Sequence, residues 1–66
     1  MKLKVNGKPM ETDPGITVED LLVRLDLPPR RIAVAVNGEV LPRAEHGAQV
    51  LCEGDEIEVI QAVAGG

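Results

Sequence analysis

The chain has 66 residues, a formal net charge of −4 and a hydrophobic fraction of 44%, with no Phe, Tyr or Trp. That length gives one domain, 1–66, near the lower limit for folding alone, with a core restricted to Val, Leu, Ile, Ala and Met. The acidic balance excludes a nucleic-acid partner, and the missing rings exclude base stacking and an aromatic cation cage; a basic or mixed-charge protein surface is the better-matched partner.

The first segment, LKVNGKPME, reads as a hairpin. Asn6-Gly7 suits a type I′ turn, in which both residues take positive φ. Counting outward sets Val5 opposite Lys8 and Leu3 opposite Met10, so Leu3 and Met10 share a buried face. Pro9 has no N–H and confines the second strand to a sheet edge. Lys2, Lys4 and Lys8 read as a solvated strand edge that resists aggregation.

DPGITVEDLLVRLDLPP reads as turn, helix and stop. Asp13-Pro14-Gly15 has turn chemistry. Thr17 is the expected N-cap, and Asp20 completes a capping box in place of Glu. Val18, Leu21, Leu22 and Leu25 fall on one helical face. Glu19 and Asp20 favour the helix dipole, and Pro28-Pro29 is the expected stop.

RIAVAVNGEVL reads as a second hairpin about Asn37-Gly38, with Ile32, Val34 and Val36 on one side and Ala33 and Ala35 on the other. Val40 and Leu41 begin a short return strand that Pro42 ends. RAEHGAQ is polar and irregular, with room for one helical turn, and Val50-Leu51 forms a brief strand or turn. In the last strand, EIEVIQAV, Ile57, Val59 and Val63 face inward, while Glu56, Glu58, Ile60 and Ala62 face out. The order is β-β-α-β-β-(short strand or turn)-β. It is an α+β fold: a small mixed sheet with one helix of about ten residues on one face and nothing on the other.

Conventional chemistry is sparse. A single cysteine, Cys52, permits no internal disulfide and points to a reducing compartment. With neither a signal-peptide core in MKLKVNGK nor an apolar run of membrane length, the expected location is cytoplasmic, without membrane contact. His46 has only Cys52 and Glu45 near it in sequence, too few for a metal site, and is expected as an exposed loop residue. Cys52 is expected as a small, semi-buried residue beside a turn rather than a redox or persulfide-carrying thiol. The carboxylates Glu53, Asp55, Glu56 and Glu58 read as a solvated face. No phosphate-binding glycine loop is present, so the chain is expected to bind no cofactor and to be no enzyme.

One group remains, the α-carboxylate of Gly66. A carboxylate is a poor electrophile, but an acyl-adenylate reacts readily with sulfur or nitrogen nucleophiles. A partner enzyme would supply ATP, Mg²⁺ and positive charge for that step. An extended tail of Ala64, Gly65 and Gly66, without bulky side chains, can enter a narrow cleft. Residues 64–66 are therefore expected to be a flexible tail.

The segments MKLKVNGK, AVAVNGEVLPR and LCEGDEIEVIQAVAGG carry a resemblance to a known group. The more specific positions are Asn37, Val40, Pro42-Arg43, Gly54-Asp55 and Gly65-Gly66, in that order. The chain resembles, over nearly its whole length, the ubiquitin-like β-grasp sulfur carriers, and most nearly those of thiamine (thiazole) biosynthesis. The resemblance implies a cycle. An adenylyltransferase similar to ubiquitin-activating enzymes activates Gly66, a cysteine desulfurase provides persulfide sulfur, and the resulting thiocarboxylate donates sulfur to thiazole synthase. Gly66 takes the reacting position and Gly65 the slot-fitting one. Alternatives that keep the fold are a carrier for molybdopterin, tRNA thiolation or cysteine synthesis, or a modifier joined to lysines. A plain interaction module, with no chemistry at residue 66, is the alternative outside that class. The lack of aromatic residues departs from many relatives and removes any partner contact made by a ring.

Ordering three tail residues opposes binding by about 1–2 kcal/mol each, so a patch on the folded body must supply affinity. The expected patch is the uncovered sheet face: Ala33, Ala35, Ile60 and Ala62, rimmed by Arg43, Glu56 and Glu58. The assignment follows strand alternation and would reverse with a one-residue register slip.

Overall fold

A computed structural model describes residues 1–27 and 32–61. The elements are β1 (Lys2–Val5), β2 (Lys8–Glu11), α1 (Val18–Arg24), β3 (Ile32–Val36), β4 (Glu39–Leu41), a single 3₁₀ turn (Arg43–Glu45) and β5 (Glu56–Gln61). The sheet order is β2-β1-β5-β3-β4. β5 runs parallel to β1 and antiparallel to β3, and both hairpins are antiparallel. This mixed five-stranded sheet with one helix is the expected β-grasp arrangement. The brief strand expected at Val50-Leu51 is reduced to an isolated bridge between Thr17 and Val50.

The turn chemistry acts as expected. Asn6 and Gly7 have φ of 51° and 80°, and Asn37 and Gly38 have 52° and 85°, the left-handed values a type I′ turn requires. The first hairpin pairs Leu3 with Met10 and Val5 with Lys8, and Pro9 lies on edge strand β2.

Both ends of α1 carry specific caps. Thr17 Oγ1 accepts from the Asp20 backbone N–H at 3.1 Å, and Asp20 Oδ2 accepts from the Thr17 N–H at 3.0 Å. The helix is shorter than expected, at seven residues. Pro28 and Pro29 lie outside the described residues, and the chain leaves the helix before reaching them. Asp26 takes a left-handed φ of 56°. The Leu27 N–H donates to Leu22 O and the Asp26 N–H to Val23 O, both at 3.0 Å. That pair of bonds is a Schellman motif with Asp where Gly is usual.

Leu3, Ile16, Val18, Leu21, Leu22, Ile32, Val34, Leu51 and Ile57 form the core between the sheet and α1. Leu25, at the C-cap, packs against it half-buried. The irregular stretch between β4 and β5 is anchored to the helix start. The Val18 N–H donates to Gln49 O and the Glu19 N–H to His46 O, each at 3.0 Å, and the Leu51 N–H donates to Ile16 O at 2.9 Å. Two N–H groups that a helix start leaves unpaired are thus satisfied by loop carbonyls.

Leu21 is fully buried in the centre of this core. Leu21→Ala should lower unfolding free energy by about 2–5 kcal/mol, and Thr17→Ala by about 1 kcal/mol, both read from equilibrium urea denaturation.

Candidate functional site

β5 lies between β1 and β3 and exposes alternate residues on the side away from α1. Glu56, Glu58 and Ile60 are exposed, while Ile57 is buried and Val59 half-buried. Ala33 pairs with Ile60 and Ala35 with Glu58, so these four side chains share the outer face of two adjacent strands. Lys4, paired with both Glu56 and Pro9, continues the face onto β1 and β2. The register expected from alternation therefore holds for Ala33, Ala35, Glu56, Glu58 and Ile60. Ala62, Ala64, Gly65 and Gly66 lie outside the described residues, as does Val63.

Val40 is a further member of this face. Val40 pairs with Ala35 and is 78% exposed, with Ile60 at 61%. Two large aliphatics thus flank a floor of alanines. Counting outward from Asn37-Gly38, as for the first hairpin, finds Val40.

Arg43 sits elsewhere. It lines a pocket with Glu19, Leu22, Val23, Leu27 and His46, beside α1 and on the core side of the sheet. The short β4 and the 3₁₀ turn carry the chain off the sheet, so strand alternation no longer applies at residue 43. The acidic rim of the outer face, Glu56 and Glu58, is accordingly balanced by Lys4 within the face and not by Arg43.

Two further residues differ from expectation. His46 is 4% exposed, and its Nε2 lies 3.3 Å from Leu41 O. A carbonyl only accepts, so Nε2 carries the proton in this bond. The ring is held beneath the loop that caps α1, and burial with a backbone partner accounts for a histidine in an otherwise polar stretch. Cys52 is exposed, not semi-buried. Its backbone N–H donates to Asp55 Oδ2 at 2.8 Å across the turn. Among the described residues no group of three or more His, Cys, Asp or Glu is placed to hold a metal ion, and no helix is long and apolar enough to cross a membrane.

Comparison with known proteins agrees with the fold and extends past it. The ThiS family model matches residues 3–66. The chain is 33% identical over 66 residues to the sulfur carrier protein ThiS of Escherichia coli, covering the whole of both. The crystal structure of a thiamine biosynthesis protein (ThiS) from Geobacter metallireducens superimposes with a TM-score of 0.85 at 36% identity, covering 100% of each chain. A thiazole synthase from Magnetococcus marinus is 42% identical over 66 residues, and the chain spans only 20% of its length.

His46→Ala removes a buried ring and leaves the Leu41 carbonyl without that partner. It should lower stability by about 1–3 kcal/mol, measured by denaturant unfolding. An equal substitution at exposed Glu45 should shift stability by no more than about 0.5 kcal/mol.

Proposed function

The chain belongs to the ThiS family, and we propose on that premise that it is a sulfur carrier of thiamine biosynthesis whose reacting group is the α-carboxylate of Gly66. The observation that carries the reading is the family match, which runs through Gly65 and Gly66 to residue 66. Full-length correspondence to the Escherichia coli carrier supports it. The chain is then a co-substrate acted on by enzymes, in the cytoplasm.

The chemistry follows from the carboxylate. A Gly66 oxygen attacks the α-phosphorus of ATP and pyrophosphate leaves, giving an acyl-adenylate. The partner adenylyltransferase binds the ATP and Mg²⁺ and stabilises the charge that develops. The terminal sulfur of a persulfide, supplied by a cysteine desulfurase, attacks the acyl carbon and AMP departs. Attack by a second thiol on the resulting acyl disulfide frees the thiocarboxylate. The thiocarboxylate sulfur attacks an electrophilic carbon of an acceptor, and water then cleaves the acyl C–S bond of the resulting thioester, leaving the sulfur on the acceptor and regenerating the carboxylate. Thiazole synthase as that acceptor is supported by the Magnetococcus marinus thiazole synthase, a fifth of which corresponds to this whole chain.

The folded body serves as the handle. Ala33, Ala35, Val40 and Ile60 form an apolar face beside Glu56 and Glu58. Such a face fits a partner surface that is apolar at its centre and basic at its rim. A modest patch of this kind gives a complex that can separate, as a carrier shared between enzymes requires.

Incubation with ATP, Mg²⁺, the adenylyltransferase and a sulfur source should raise the intact mass by one sulfur less one oxygen, and deletion of Gly66 should abolish the gain. An unchanged mass with a competent partner would refute the reading. Ile60→Asp should leave folding within about 0.5 kcal/mol while slowing thiocarboxylate formation at limiting partner concentration.

A further inference from the structure

The two Asn-Gly turns have the same backbone but different side-chain surroundings. In the first, Asn6 Oδ1 accepts from the Val59 N–H at 2.8 Å, and its Nδ2 has no hydrogen-bond partner among the described residues. In the second, Asn37 works in both directions. Its Oδ1 accepts from the Glu56 N–H and its Nδ2 donates to Asp55 Oδ1, each at 3.0 Å. Its backbone N–H donates to Glu56 O at 2.7 Å. Asp55 is committed in turn, since its Oδ2 accepts from the Cys52 N–H.

Asparagine followed by glycine is the dipeptide most open to deamidation, because glycine leaves its backbone nitrogen unhindered. We propose that Asn37 is a deamidation site at which replacement of the amide by a carboxylate breaks the hydrogen bond from the second hairpin's turn to Asp55, just ahead of β5, whereas conversion of Asn6 to aspartate leaves its hydrogen bond to β5 intact. The Gly38 backbone nitrogen attacks Asn37 Cγ, the Cγ–Nδ2 bond breaks and ammonia leaves. Water opens the succinimide to Asp or isoaspartate, with no change in oxidation state. Both asparagines are exposed, so water and base reach them.

The consequence follows from donor and acceptor roles. An aspartate at position 6 still accepts from the Val59 N–H. An aspartate at position 37 still accepts from the Glu56 N–H, but presents an acceptor to Asp55 Oδ1 where a donor stood. Two carboxylates at hydrogen-bond distance raise the pKa of one of them. The other charged groups in the region are Glu39 across the turn, Glu56 on β5, Glu53 in the loop, and Lys2 and Lys4 on β1. The surroundings are thus mostly acidic and add to the repulsion. A raised folded-state pKa means that the deficit is full above it. The deficit then disappears as pH falls through that value toward the ordinary carboxylate range near about 4.

Asn37→Asp and Asn6→Asp isolate the aspartate products. Urea denaturation at neutral pH should give a lowered midpoint for N37D and one close to the parent for N6D. The N37D deficit should shrink as pH approaches the carboxylate range, and the double variant N37D/D55N, which restores one donor facing one acceptor, should recover the midpoint. If N37D does not fold at neutral pH, the recovery in the double variant is the readout. Peptide mapping of the parent protein, aged at mildly alkaline pH, should find Asp and isoaspartate at position 37. Equal midpoints for N37D and N6D, a deficit that acid and D55N do not relieve, or an intact amide at 37 after ageing would each overturn the proposal.

Discussion

β5 is the constraint on which the rest of the molecule depends. It enters between β1 and β3, pairs with both, and completes a sheet that would otherwise be two separate hairpins. A two-stranded hairpin is marginal in water, so neither hairpin is stable until β5 joins them. The turns take part directly. The Asn6 N–H donates to Ile57 O and its side chain accepts from the Val59 N–H, lengthening the short parallel ladder. Asn37 exchanges bonds with Glu56 in the same way and lengthens the antiparallel one. Each Asn-Gly pair therefore both reverses its own hairpin and docks it on the central strand.

The same strand divides the molecule's tasks. Its inward residues, Ile57 and Val59, meet α1 and the core, while Glu56, Glu58 and Ile60 look away from it. The outer face and the core are thus set by a single register. A slip by one residue would exchange them, and the side-chain bonds from Asn6 and Asn37 oppose that slip. In the sulfur-carrier reading, the strand that closes the fold is also the last described element before Gly66 in the sequence.

A core without aromatic rings leaves little stability in reserve, and the local devices around α1 are correspondingly complete. A helix of seven residues is too short to persist alone. It is held by the Thr17–Asp20 box at one end, the Asp26 turn at the other, and loop carbonyls that take up the Val18 and Glu19 N–H groups. The irregular segment between β4 and β5 is thereby part of the helix cap. His46 is buried within that segment because its backbone must reach Glu19.

Local chemistry in the 66 residues determined most of the architecture. Asn-Gly pairs, a Thr-x-x-Asp box, period-two alternation in three strands and Pro9 each act within a few residues, so the hairpins, the helix face, the edge strand and the sharing of one face by Ala33, Ala35, Glu58 and Ile60 were legible without coordinates. Gly66 was reached by elimination, because the side chains offered little chemistry and the backbone carboxylate remained; the cycle proposed for it was legible only through resemblance. Tertiary structure alone decided the helix stop at Asp26, the burial of His46, the exposure of Cys52 and the position of Arg43 beside α1. Those outcomes depend on which loop carbonyl reaches which N–H and where β4 leaves the sheet. They are matters of distance between residues far apart in the chain, on which periodicity and propensity are silent.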